Sequence, residues 1–221
     1  MCVLLLAAGA AASAAQAAQG PAAVDPPPPV APGTVTRNER GRATVHASRI
    51  TQPLKLDGRL DEDVYTAVRP IDGFIQQLPV EGVPATEPTV VWIFFDEGNV
   101  YISARCDQSE PDRIVANELR RDNINVFMVN DNISIALDTF YDQRSGVFFQ
   151  TNPIGALRDQ AIADGTFNVN WNAVWEVKTS RSEAGYTVEM KIPFKSLRYR
   201  AAGPQVWGLN IRRVVKSKNE T

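Results

Sequence analysis

The chain has 221 residues, of which 44% are hydrophobic and 22% charged, and its formal net charge is -2. That length suffices for one sizeable domain with a core of its own. A nearly neutral balance removes the positive field on which nucleic-acid binding leans, so no nucleic-acid partner is expected.

Residues 1–20 read MCVLLLAAGAAASAAQAAQG, a short apolar run followed by small residues. Ala15-Gln16-Ala17 fits a small-x-small cleavage site, and the segment resembles a secretory signal peptide, although no Lys or Arg precedes the run. The run is too short and too rich in alanine for a transmembrane helix. Export is therefore expected, to the periplasm or outer membrane of a Gram-negative bacterium. Once the segment is removed, Cys106 is the only cysteine, and no intramolecular disulfide is expected. Residues 21–42 include Pro26-Pro27-Pro28-Pro29 and read as a disordered, Pro-rich linker. The folded domain is expected over residues 43–221.

Within it, strand signals dominate. Residues 43–50 read as a first strand, and residues 60–68 as a short helix with Asp61 at its N-cap. Residues 89–95, TVVWIFF, are apolar on both faces and read as a central strand. The turn Asp96-Glu97-Gly98-Asn99 leads back into a strand over 100–107. Residues 119–121 suit a short helix, and residues 133–138 alternate with Ile133, Ile135 and Leu137 on one face. Further strands are expected over 146–152, 174–179 and 186–192, the last placing Tyr186, Val188, Met190 and Ile192 together until Pro193 breaks it. Residues 206–215 form the final strand. Many short strands with hairpin turns predict an all-β, antiparallel β-sandwich with one or two short helices. The sequence stops soon after that strand, which suggests a fragment of a longer chain.

Catalytic chemistry is narrowly bounded. His46 is the only histidine, so Ser-His-Asp and Cys-His mechanisms would both depend on it. No P-loop, GxGxxG, HExxH or GxSxG motif occurs, and a histidine-rich zinc site is excluded. Paired carboxylates remain, because a hydrolase acting on O-glycosyl bonds needs only two. Asp131, Asp138, Asp142, Asp159 and Asp164 lie close enough in sequence to be considered, each with a solvated turn position as the alternative. The same acids could hold calcium, although no Dx[DN]x[DN]G loop is present.

The aromatic residues point elsewhere. Trp171 and Trp175 lie in the polar stretch Asn168-Val169-Asn170-Trp171-Asn172-Ala173-Val174-Trp175-Glu176. Sugar rings present apolar C–H faces that stack on flat aromatic rings, and their hydroxyls bond planar amide and guanidinium groups. Trp171, Trp175, Asn170 and Asn172 supply that combination, and Arg120, Arg121 and Asp122 form a second polar cluster able to bond hydroxyls or a carboxylate. The structural alternatives are a core position for Trp175 and an Arg–Asp pair that fixes its own loop.

Several motifs taken together resemble a known family. Leu56-Asp57-Gly58-Arg59-Leu60-Asp61-Glu62 is similar to the opening of family 9 carbohydrate-binding modules. Phe74-Ile75-Gln76-Gln77, Arg120-Arg121-Asp122, Asp138-Thr139-Phe140, Asn152-Pro153-Ile154-Gly155, Ile192-Pro193-Phe194 and Trp207-Gly208-Leu209-Asn210 continue the pattern. The set resembles the variant that precedes a large outer-membrane region in DUF5916 proteins. The resemblance implies a jelly-roll type sandwich, a non-catalytic module that binds an oligo- or polysaccharide, and in some members a structural calcium. It also implies a C-terminal β-barrel region as a second partner, so the alternative role is a plug that packs on that barrel without a sugar. Tyr65 stands where the family usually has Trp, and Asn130-Asp131-Asn132 and Asn172 replace residues that are commonly acidic.

Overall fold

The computed structural model describes residues 24–39, 42–200 and 203–221. The expected signal peptide, residues 1–20, lies outside the described residues. Two five-stranded sheets face each other. The first runs in the order β10 (Glu176–Ser182), β11 (Gly185–Pro193), β5 (Asn99–Asp107), β4 (Thr89–Phe95) and β3 (Ser48–Arg49). The second runs β12 (Gly208–Val214), β6 (Asn132–Asp138), β7 (Ser145–Thr151), β8 (Arg158–Ala163) and β9 (Thr166–Asn168). Every pairing is antiparallel except that of β3 with β4. The expected all-β sandwich is the fold found.

The alternation read from sequence sets the core. Ile133, Ile135 and Leu137 of β6 meet Tyr186, Val188, Met190 and Ile192 of β11 between the sheets, together with Phe149 and Trp175. The TVVWIFF strand is apolar on both faces because both faces are covered. Val91 joins that main core, while Trp92 and Phe94 point to the other side and pack with Tyr65 and Tyr101. Tyr65 lies on α1 (Asp63–Ala67), whose ring stands edge-on to Trp92 at 5.3 Å and to Phe94 at 5.7 Å.

The Leu56 to Glu62 motif is an anchor for that cover. Gly58 has φ +84, and a Cβ there would lie 2.6 Å from the Thr179 carbonyl carbon. Its N–H donates to Glu189 Oε2 at 2.7 Å, as does that of Asp57 at 3.1 Å. Glu189 faces away from the main core, between sheet and cover, and its other oxygen accepts from the Tyr65 hydroxyl at 2.9 Å. Burial raises the carboxyl pKa of Glu189, and the two backbone donors and Tyr65 oppose that rise.

Several boundaries differ from expectation. The first strand divides into β2 (Ala43–Val45) and β3, and α1 begins two residues past Asp61 with Glu62 at its N-cap. The helix expected at 119–121 forms instead as α2 (Asn125–Met128). The linker also contributes structure. β1 (Val35–Arg37) pairs with β2, and the Thr44 hydroxyl donates to the Pro26 carbonyl at 2.5 Å. Prolines lack N–H groups but keep their carbonyls, which leaves them free to accept.

Candidate functional site

The two sheets treat their outer faces differently. The first is sealed by apolar residues around α1. On the second, the outward positions of the middle strands are polar and yet buried: Ser134, Gln150, Arg158 and Gln160 are all less than a tenth exposed. Buried polar side chains normally bond one another, and here Gln150 and Arg158 join Asn132 in a relay across three strands. Arg158 donates to Gln150 Oε1 at 2.9 Å, Gln150 donates to Asn132 Oδ1 at 2.8 Å, and Asn132 donates to the Asn130 carbonyl at 2.9 Å.

Phe127 of α2 lies among two guanidinium groups on this face. The Arg212 guanidinium carbon is 4.9 Å from its ring centroid and that of Arg158 is 5.9 Å away. Arg158 also lies 5.7 Å from the Phe148 ring, which meets Phe167 edge-on at 6.4 Å. Burial lowers the pKa of both arginines. Among the described residues neither is in an ion pair, and the buried Nε of Arg212 has no hydrogen-bond partner.

The residues singled out from sequence gather at an adjoining rim, around an acid whose role there the sequence did not indicate. Asp159 is fully buried. It accepts from the Ala173 N–H at 2.6 Å, from the Trp175 indole at 3.1 Å and from Arg121. Arg121 also donates to Asn172 Oδ1 at 3.0 Å and to the Ala173 carbonyl at 2.9 Å, and pairs with Asp122 at 3.3 Å. Asp122 accepts from the Asp159 N–H at 3.0 Å. Asp159 thus ties the Asn170 to Trp175 loop to the Arg121–Asp122 turn.

One of the expected contacts is corrected by this arrangement. Trp175 is 4% exposed and stands edge-on to Phe149 at 5.2 Å, so it is a core residue with no face for a ligand. Arg120, largely exposed, pairs with Glu118 through two hydrogen bonds, at 3.0 and 2.8 Å. That contact, with the Arg120 N–H, holds the Glu118 carboxyl down to about 2. Trp171 is half-buried, 6.0 Å from Phe149, and Asn170 and Asn172 are exposed beside it.

The acids considered for calcium or hydrolysis serve local structure. Asp131 Oδ2 accepts from the Val115 N–H at 2.8 Å, Asp138 accepts from Gln143 N–H at 2.7 Å, and Asp142 caps Ser145 at 2.8 Å. Asp164 pairs with Arg144 at 2.8 Å. Among the described residues no three His, Cys, Asp or Glu side chains gather to hold a metal. His46 sits in the small ribbon, its N–H bonded to the Thr34 carbonyl at 2.9 Å.

Residues 56–221 match the family model "Carbohydrate family 9 binding domain-like". The chain belongs to that family. Two similar solved structures are a family 9 module from Caldicellulosiruptor kristjanssonii in complex with cellotriose and the same kind of module with glucose. The first is 17% identical with a TM-score of 0.55, covering 79% of this chain and 80% of that one. The second is 16% identical with a TM-score of 0.53, covering 79% and 83%. No curated protein matches this family 9 chain in sequence.

Proposed function

We propose that this family 9 domain is a non-catalytic module of an exported protein that holds a saccharide on the outer face of its second sheet. The observation that carries this reading is the half-buried pair Phe127 and Arg212 on that face, fixed from beneath by the buried relay Arg158–Gln150–Asn132. A ring face and fixed planar donors and acceptors are what a sugar's C–H face and hydroxyls require. The relay is hydrogen-bonded before any ligand arrives, which lowers the ordering cost of binding. The sugar complexes of the structural relatives support a saccharide as the ligand class. The rim of Trp171, Asn170, Asn172 and Arg121 supplies a flanking contact, with Asp122 holding Arg121 in place. Calorimetric titration with cellotriose tests the reading. Binding that Phe127→Ala or Gln150→Ala weakens supports it, and binding unchanged by both variants contradicts it.

A second reading is a structural module that docks on a membrane β-barrel. It is favoured by Ile75, Leu78, Val80 and Val83, four apolar side chains exposed along one loop. Crosslinking from this loop in isolated outer membranes, with capture of a β-barrel partner as the positive result, separates the two readings.

A further inference from the structure

We infer that the ligand of the outer face is an acidic saccharide, a chain of uronic-acid units whose carboxylate sits between Arg158 and Arg212. The inference rests on the saccharide reading above and names the substrate class of that same site.

The charge of the face carries it. Along these four strands the outward positions carry two cations, Arg158 and Arg212, and one acid, Asp138 at the end of β6. A face built for a neutral sugar mixes carboxylates, which accept from hydroxyls, with donors. Here the side-chain acceptors apart from Asp138 are amides and hydroxyls. Asp122 is the acid that bears on Arg158, but it is already engaged by Arg121 at 3.3 Å and by the Asp159 N–H at 3.0 Å. Asp138, at the end of β6, is used by its own turn, accepting from Phe140 N–H at 3.2 Å and Gln143 N–H at 2.7 Å.

Buried cations are ordinarily paired. Arg158 is 8% exposed and holds one amide, and Arg212 has a buried Nε with no partner. Both keep their guanidinium groups against the Phe127 ring, which compensates part of the lost hydration. A planar carboxylate matches the guanidinium fork and supplies the missing acceptor.

The test is calorimetric titration of the intact chain with trigalacturonate, its methyl ester and cellotriose. The inference expects trigalacturonate to bind on the order of tenfold or more tighter than the uncharged ester, since hydrogen bonds to a charged group are the stronger kind. That advantage should shrink as salt rises from about 50 mM to about 500 mM. Arg212→Gln should abolish it and Arg212→Lys should keep part of it, with near-ultraviolet circular dichroism showing both variants folded. Equal affinity for acid and ester, or preference for cellotriose, overturns the acidic-ligand inference and leaves saccharide binding standing. Absence of binding to all three overturns both.

Discussion

Removing the Asp159 carboxylate should destabilise the domain and loosen the rim together. Asp159→Ala leaves two buried donors, the Ala173 N–H and the Trp175 indole N–H, without the acceptor they now have at 2.6 and 3.1 Å. An orphaned buried donor costs about 1–3 kcal/mol. The Arg121 contact adds little, because that side chain is 39% exposed and screened by solvent. For the two donors the sum is about 2–6 kcal/mol, centred on about 4 kcal/mol. At roughly 2–4 °C per kcal/mol for a domain of this size, the melting temperature should fall by about 10 °C. Thermal unfolding followed by near-ultraviolet circular dichroism reads both the midpoint and the packing of Trp175. A shift below about 2 °C with an unchanged tryptophan signal would refute the assignment of Asp159 as the tie between loop and turn.

Other expectations follow from the same geometry. Gly58→Ala must place a methyl group against the Thr179 backbone at positive φ, and should cost at least about 1–3 kcal/mol in urea denaturation. For Glu189 the folded carboxyl pKa is raised by burial. The neutral form is therefore favoured on folding, and its stabilising effect is complete below the ordinary carboxylate range and lost as pH rises through the raised folded pKa. Glu189→Gln should accordingly gain on the native protein between acidic and neutral pH, measured as the difference in urea midpoints. Cys106 is completely buried and its thiol pKa is raised, by burial first, so an aromatic disulfide reagent should label it only as fast as the domain opens. In saccharide titrations Phe127→Ala should cost about 1–3 kcal/mol as a central anchor, and Trp171→Ala at the rim less than about 1 kcal/mol.

The sandwich was legible because its core strands announce themselves by period. Tyr186, Val188, Met190 and Ile192 are all buried, as their alternation requires. The hairpin β8–β9 was not expected, because Arg158-Asp159-Gln160 shows no apolar face, although Asp164-Gly165 is a strong turn signal and both residues take positive φ. The rim was legible in part, since Arg121, Asp122 and Asn172 are brought together. Asp159 counted in the sequence only among candidate acids, and its role as the organiser came from pairing of strands far apart in the chain. The outer face was hidden for the same reason. Gln150, Arg158 and Arg212 each look like ordinary solvent-facing alternates within their strands. Only the strand order β12–β6–β7–β8 brings them to one place, and only burial distinguishes Gln150 and Arg158 from surface residues.

The most direct measurement is amide chemical-shift mapping of the isotope-labelled chain during titration with trigalacturonate and with cellotriose. The account predicts that shifts concentrate at Phe127, Ser134, Gln150, Arg158 and Arg212, with weaker changes at Trp171 and Asn172. Shifts confined to the loop at Ile75 to Val83, or spectra unmoved by either saccharide, would contradict it.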